Sequence, residues 1–246
     1  MRQLRLAFRV CWLVALILFC VPMHLLWRLF RLRSHWPRRF LGWCARAVGL
    51  KATIVGERAE GTALFAANHQ SWIDILLIGG ATGASFVSKA SVRNWPIAGW
   101  LATMVGTIYI ENSDRGAAAV QAARIRQALH DDVSVAFFPE GQLDNGKVLP
   151  FRPALFGSIV PPERSLPVQP VAIDYGEHWH DLIWKRGSHA GHNAADIMRR
   201  RGTEQVTIYL LEPIYPDEHS HRRDLARYCE EKIAEALGQA PERETV

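Results

Sequence analysis

Past residue 51 the chain alternates short apolar, β-branched runs with longer stretches of helical pattern. The short runs fall at 52–57 (ATIVGE), 62–67 (TALFAA), 84–88, 106–110 (GTIYI), 133–138 (VSVAFF), 167–173 (PVQPVAI) and 204–212 (EQVTIYLLE), and each predicts a strand. Between them the pattern predicts helices near 72–79, 95–104, 115–130, 153–159, 192–201 and 218–238. The stretch 115–130, RGAAAVQAARIRQALH, has the strongest helical composition, with Asp114 placed to cap it. Strand–helix alternation of this kind predicts an α/β fold, a mostly parallel central sheet of about seven strands flanked by helices. No repeat, low-complexity tract or linker divides it, so 52–246 reads as one domain.

Residues 1–51 follow another pattern. From Val10 to Trp27 the chain reads VCWLVALILFCVPMHLLW, whose only ionisable groups are two cysteines and His24. About 18–20 apolar residues is the minimum for a spanning helix. Pro22 and His24 leave two other forms open, a helix lying in one leaflet or a tight hairpin. A signal peptide would also begin with a run such as Arg2, Arg5 and Arg9, but no small-x-small cleavage site follows the apolar core. The segment reads as a membrane-anchoring helix.

Charge sharpens the division. The net charge is +5, yet residues 1–51 hold ten basic side chains and no acidic one, leaving 19 basic against 24 acidic over the remainder. A nucleic-acid-binding domain needs its basic patch on the folded body, so that class is excluded. Basic residues interleaved with Trp12, Trp27, Trp36 and Trp43 suit anionic lipid headgroups, and the heavier basic flank after the apolar run predicts a body on the cytoplasmic face of the membrane. The four cysteines, Cys11, Cys20, Cys44 and Cys229, show neither metal-ligand spacing nor a disulfide framework.

In a sheet of this kind chemistry sits beyond the carboxyl ends of the strands. Three polar clusters follow three predicted strands directly: NHQSWID after 62–67, ENSDR after 106–110 and PEGQLDNGK after 133–138. The first holds His69 and Asp74. On a continuous helix five residues turn through about 500°, which points these side chains about 140° apart. They meet only if His69 lies in a turn and Asp74 in the first helical turn, with Ser71 as the expected N-cap. One reading makes Asp74 a cap for backbone amides and His69 a turn residue. The other makes His69 a general base, oriented by Asp74, with a reference pKa of about 6.5 near working pH. A second pair at the same spacing, His219 and Asp224, follows nothing strand-like and reads as an exposed helix start. No Gly-x-Ser-x-Gly elbow occurs, which points to direct activation of a substrate hydroxyl.

These blocks resemble the glycerolipid acyltransferases, the family that includes 1-acylglycerol-3-phosphate acyltransferase and transfers a fatty acyl group from an acyl thioester to a lysolipid hydroxyl. NHQSWID is similar to the family's His-x4-Asp signature, implying His69 as base and Asp74 as its partner. GTIYIEN, Gly106 to Asn112, resembles its Gly-x-x-x-Ile-x-Arg block, and Phe138-Pro139-Glu140-Gly141 matches its Phe-Pro-Glu-Gly block intact. NGKVLPFRPALF, which contains Arg152, and LPVQPVAI continue the likeness in order. The resemblance implies no metal and no tightly bound cofactor, with acyl-ACP or acyl-CoA as co-substrate, and a lysolipid and the bilayer as partners. It places Glu140, Gly141, Arg115, Asn112 and Arg152 at the acceptor.

Two positions depart from the family pattern. Asn112 stands where an arginine is expected to hold the acceptor's phosphate, and a neutral amide is a poor substitute; Arg115 lies three residues later. Gln142, Leu143 and Asp144 replace the usual threonine region, and an added carboxylate disfavours a phosphate and favours an amine, although DNG is also a plain turn signal. The expected acceptor is therefore lysophosphatidic acid or, in its place, a lyso-aminolipid such as lyso-ornithine lipid or another lysophospholipid. Glu140 either binds acceptor hydroxyls or amides near His69 or pairs with Arg152. Lys89 follows a strand and faces either solvent or an anion, while Trp95, Ile97 and Trp100 line an acyl path or pack in the core. Rival readings are a phospholipid transacylase, a non-catalytic membrane-binding protein, and a metal-dependent hydrolase suggested by His178, His180, His189 and His192.

Overall fold

All seven predicted strands form: β1 (Leu50–Val55), β2 (Leu64–Ala67), β3 (Ser85–Lys89), β4 (Ile108–Ile110), β5 (Val135–Phe137), β6 (Val168–Asp174) and β7 (Glu204–Leu210). The computed structural model describes residues 1–110, 115–141, 146–184, 189–217 and 219–239. The strands join one sheet in the order β1-β7-β6-β2-β5-β3-β4. Every neighbouring pair is parallel except β6 and β7. Among the described residues the sheet is therefore mostly parallel, with one reversed contact.

The near-continuous apolar character of the inner strands follows from burial on both faces. On β2, Phe65 and Ala67 face the helices α2 (Trp36–Ala47), α3 (Asp74–Thr82) and α6 (Ala190–Arg199), and pack with Ile73, Ile78, Val171 and Ile197. Leu64 and Ala66 face the other way, toward α5 (Arg115–His130) and α7 (Arg222–Ala236), and pack with Ile125, Phe137, Phe156 and Ile233. A short helix, α4 (Ala98–Met104), precedes β4, and the expected helix at 153–159 is a 3₁₀ turn over Pro153–Ser158. α7 begins at Arg222; His219 just before it and Asp224 in its first turn are both exposed, and Asp224 pairs with Arg227 at 3.3 Å, so the second His–Asp pair is the surface helix start its context suggested.

The N-terminal segment is longer than its apolar core. A helix α1 (Arg2–Leu29) runs unbroken through Pro22 and His24. A hairpin does form, not inside 10–27 but between α1 and α2, where the sequence suggested only a basic flank. Pro37 lies in the first turn of α2, where its missing N–H costs nothing. Helices α2 and α3 then cross in close contact: a Cβ on Gly80 would lie 2.7 Å from the Cα of Gly42.

The start of α1 is tied to the body. Arg9 donates to the carbonyls of Ile197 (3.1 Å), Met198 (3.2 Å) and Gly202 (2.9 Å), and Arg5 to that of Arg199 (3.2 Å). These arginines bond carbonyls at and just past the end of α6, where the helix's own amide donors run out. The opposite side of α1 exposes Leu4, Phe8, Trp12, Leu18 and Phe19.

Candidate active site

Because β2, β3, β4 and β5 run parallel, the segments that follow them emerge along one edge of the sheet. The loop after β2 is pegged at every step. Asn68 continues the ladder with its side chain, donating to the Ile173 carbonyl (3.1 Å) and accepting from the Ile173 amide (2.8 Å) on β6. Ser71 Oγ donates to the Leu182 carbonyl (2.6 Å), the Trp184 amide to the Gln70 carbonyl (3.0 Å), and the Trp72 indole to Asn193 Oδ1 on α6 (3.0 Å). A loop held this firmly presents His69 in one orientation.

His69 and Asp74 meet as the geometric filter required, with the histidine in the turn and the aspartate at the head of α3. His69 Nδ1 lies 2.7 Å from Asp74 Oδ2, which also accepts the amides of Gln70 and Ser71, each at 2.8 Å. Asp74 thus caps backbone amides and holds the histidine at once. The expectation that Ser71 caps the helix is corrected. Ile73 is already helical in φ and ψ, α3 begins at Asp74, and Ser71 turns its hydroxyl to Leu182 instead.

Tyr175, just past β6, donates its hydroxyl to the remaining oxygen, Asp74 Oδ1. Burial first, then the charge of Asp74, pushes the Tyr175 phenol well above its ordinary value of 10.0, so it stays a neutral donor. Asp74 is fully buried, while 21% of the His69 side chain is exposed. With Nδ1 directed at the carboxylate, Nε2 is the ring nitrogen that points away from Asp74. The Phe138 ring stacks on the imidazole at 3.9 Å and 14°.

Phe138 opens the Phe-Pro-Glu-Gly turn beyond β5, bringing the first and third blocks together. Glu140 is buried, and Gly141 takes φ +68°, a conformation that suits glycine. The Arg152 amide donates to the Pro139 carbonyl (3.0 Å), and its guanidinium lies against Gly141, where a Cβ would approach within 3.0 Å. Arg152 is itself exposed. Asn112 and Asp144, with Gln142 and Leu143, lie outside the described residues, as does the expected cap Asp114. Arg115 is placed only as the first residue of α5. Lys89 is exposed at the end of β3.

The four clustered histidines do not converge. His180 stacks on Trp179, His189 touches His192, and His178 approaches Glu204 at 3.4 Å. Among the described residues no three His, Cys, Asp or Glu side chains gather as a metal site.

Between the helical hairpin and the body lies a cavity of about 400 Å³ with almost wholly apolar walls. Leu13, Ile17 and Val21 of α1, Phe40 of α2, Ile75 of α3 and Leu101 of α4 contribute to it. Trp95 and Ile97 line it, and Trp100 does not appear on its wall. Phe86 on this wall lies 6.3 Å from Phe138, one ring away from His69. Tyr175 and Asn68 carried no functional expectation. Tyr175 does stand in a polar stretch directly after a strand, DYGEHWH, the signal that marked the other three clusters.

A histidine paired with a buried carboxylate thus stands at the carboxyl edge of a mostly parallel sheet beside an apolar cavity, the layout of an α/β enzyme site. Residues 51–174 match the Acyltransferase family, and the chain belongs to it. A lyso-ornithine lipid O-acyltransferase of Brucella abortus is 30% identical over 96% of this chain and 95% of its own. A 1-acyl-sn-glycerol-3-phosphate acyltransferase of Neisseria gonorrhoeae is 32% identical over 52% of this chain and 50% of its own. The crystal structure of the 1-acyl-sn-glycerophosphate acyltransferase of Thermotoga maritima superposes with a TM-score of 0.69 at 21% identity, covering 97% of both chains, a likeness of fold.

Proposed function

We propose that this acyltransferase esterifies the free hydroxyl of lyso-ornithine lipid with a fatty acyl group from a thioester, acyl-ACP or acyl-CoA, at the cytoplasmic face of the membrane. The observation that carries the acceptor is the extent of likeness: the lyso-ornithine lipid relative matches along nearly the whole chain, the glycerol-phosphate relative along about half. Two residues agree with it. Asn112 is neutral where a phosphate would want an arginine, and Arg152 offers the ornithine carboxylate a charged partner near Gly141.

In this reading α1 and α2 seat the protein in one leaflet, since α1 is long and apolar enough for a membrane and is tied at its start to α6. The acyl chain occupies the apolar cavity. His69 Nε2 removes the proton from the lysolipid hydroxyl as its oxygen attacks the thioester carbonyl. Asp74 stabilises the imidazolium, and Tyr175 and the two loop amides keep that carboxylate fixed. The C–O bond forms, the C–S bond breaks, and the proton on His69 goes to the departing thiolate. No covalent enzyme intermediate is required.

Acyl transfer in neutral detergent micelles tests this directly. Acceptors are lyso-ornithine lipid, lysophosphatidic acid and lysophosphatidylethanolamine, with His69→Ala as control. Ester product from lyso-ornithine lipid, reduced about 10²–10⁴-fold in the variant, is expected. Preference for lysophosphatidic acid would overturn the acceptor assignment, and undiminished transfer by the variant would overturn the mechanism.

A further inference from the structure

A second cavity, of about 380 Å³, lies where the start of α1 meets the end of α6, and Arg2, Arg5, Arg199, Arg200 and Arg201 surround it. Carboxylates offset only part of this charge. Arg199 pairs with Asp196 at 3.1 Å, and Arg200 pairs with Glu204 and lies 3.9 Å from Asp181. Arg2 and Arg201 have no ion pair among the described residues, and Arg199 Nε is buried with no hydrogen-bond partner. Like charges held around one concavity repel, and an anion there relieves the repulsion. Guanidinium groups match phosphate oxygens in pairs.

The cavity stands at the catalytic end of the sheet. β7 runs against β6 with Thr207 opposite Asp174, so residues 199–203 lie beyond the carboxyl end of β6. Asn193 of the same helix α6 holds the indole of Trp72, three residues from His69. Arg200 follows seven residues later, about 10 Å along the helix. The arginines and His69 therefore lie at the same end of the sheet, linked through α6.

We propose that this arginine cluster binds the phosphate-bearing end of the acyl donor, the phosphorylated pantetheine shared by coenzyme A and acyl carrier protein. The inference rests on the thioester-donor reading above. A lipid headgroup fits less well. Arg5 and Arg9 turn inward to α6 carbonyls, away from the exposed apolar face of α1 that carries Leu4, Phe8 and Trp12.

The test compares three donors carrying the same acyl chain in neutral micelles: acyl-carrier protein, acyl-CoA and an acyl-pantetheine without phosphate. Arg2→Gln/Arg201→Gln is the variant, since neither residue supports an ion pair. The wild type is expected to favour the phosphate-bearing donors in kcat/KM. In the variant that preference falls at least ten-fold, through KM and not kcat, and whichever of the two natural donors loses more is the one the site serves. Preference unchanged in the variant overturns the proposal. So does weaker binding to phosphatidylglycerol vesicles with donor KM unaltered, which assigns the arginines to the membrane. Transfer from none of the three thioesters would instead remove the donor reading itself.

Discussion

Tyr175 and Asp74 are 101 residues apart in the chain, yet the phenol of one donates to the carboxylate of the other inside the buried core. With His69 and two loop amides on the opposite oxygen, both sides of this carboxylate are occupied. In the proposed mechanism Tyr175 is therefore a positioning residue, acting on substrate only through Asp74 and His69.

Tyr175→Phe removes one hydrogen bond to a charged acceptor, worth about 1.5–3 kcal/mol. The expected outcome is a stability loss of about 2 kcal/mol in urea titration and a fall in kcat with acceptor KM unchanged. The pH dependence has a definite sign. The folded phenol keeps its proton above 10.0, whereas the unfolded chain releases it near that value and so binds fewer protons. The stabilisation is complete below about pH 10 and is lost as pH rises further. Urea midpoints at successive alkaline pH values should fall more steeply for the wild type than for the variant.

Asp74→Asn keeps the shape of the side chain but leaves one acceptor oxygen where two served four donors. Either Tyr175 or, together, His69 and the two loop amides then face an NH₂ group. In both orientations the imidazolium loses its counter-charge, and kcat is expected to fall by about 10³–10⁴ with little change in binding. Single-turnover acyl transfer would show it; an activity within ten-fold of wild type would contradict the role given to Asp74.

Gly80→Ala addresses the contact that seats the hairpin. The new methyl meets the Cα of Gly42 at 2.7 Å and its nitrogen at 2.9 Å, and backbone cannot step aside as a flexible side chain does. A loss of about 1–3 kcal/mol is expected, with increased protease cleavage between α1 and α2.

Ala102→Trp fills part of the apolar cavity without touching His69, Asp74 or Tyr175. Activity with long acyl donors is expected to fall at least ten-fold relative to short ones, in line with about 1–3 kcal/mol for each misfitted methylene. Unchanged chain-length preference, measured as a kcat/KM ratio, would place the acyl chain elsewhere.

The strands were legible because each is a short apolar run between polar turns, a local property that burial on two faces imposes. His69 and Asp74 were legible for a similar reason: five residues settle whether they can meet. Helix α2 did not stand out, since its arginines and apolar positions, though spaced at helical period, lie in a basic stretch that reads equally as the flank of an anchor, and packing on α1 and α3 is what seats it. The reversal of β7 also left no mark, because an apolar run reads the same in either direction of travel.

By itself, then, the amino-acid sequence determined the α/β alternation, the apolar N-terminal helix and the order of polar clusters along the chain. Each of these depends on periodicity within a few residues. Tertiary structure alone decided that Tyr175 reaches Asp74, that Phe138 stacks on His69, and that Arg2 and Arg5 join Arg199, Arg200 and Arg201. Those relationships depend on which distant segments burial brings into contact, and no local pattern records the path by which the chain returns.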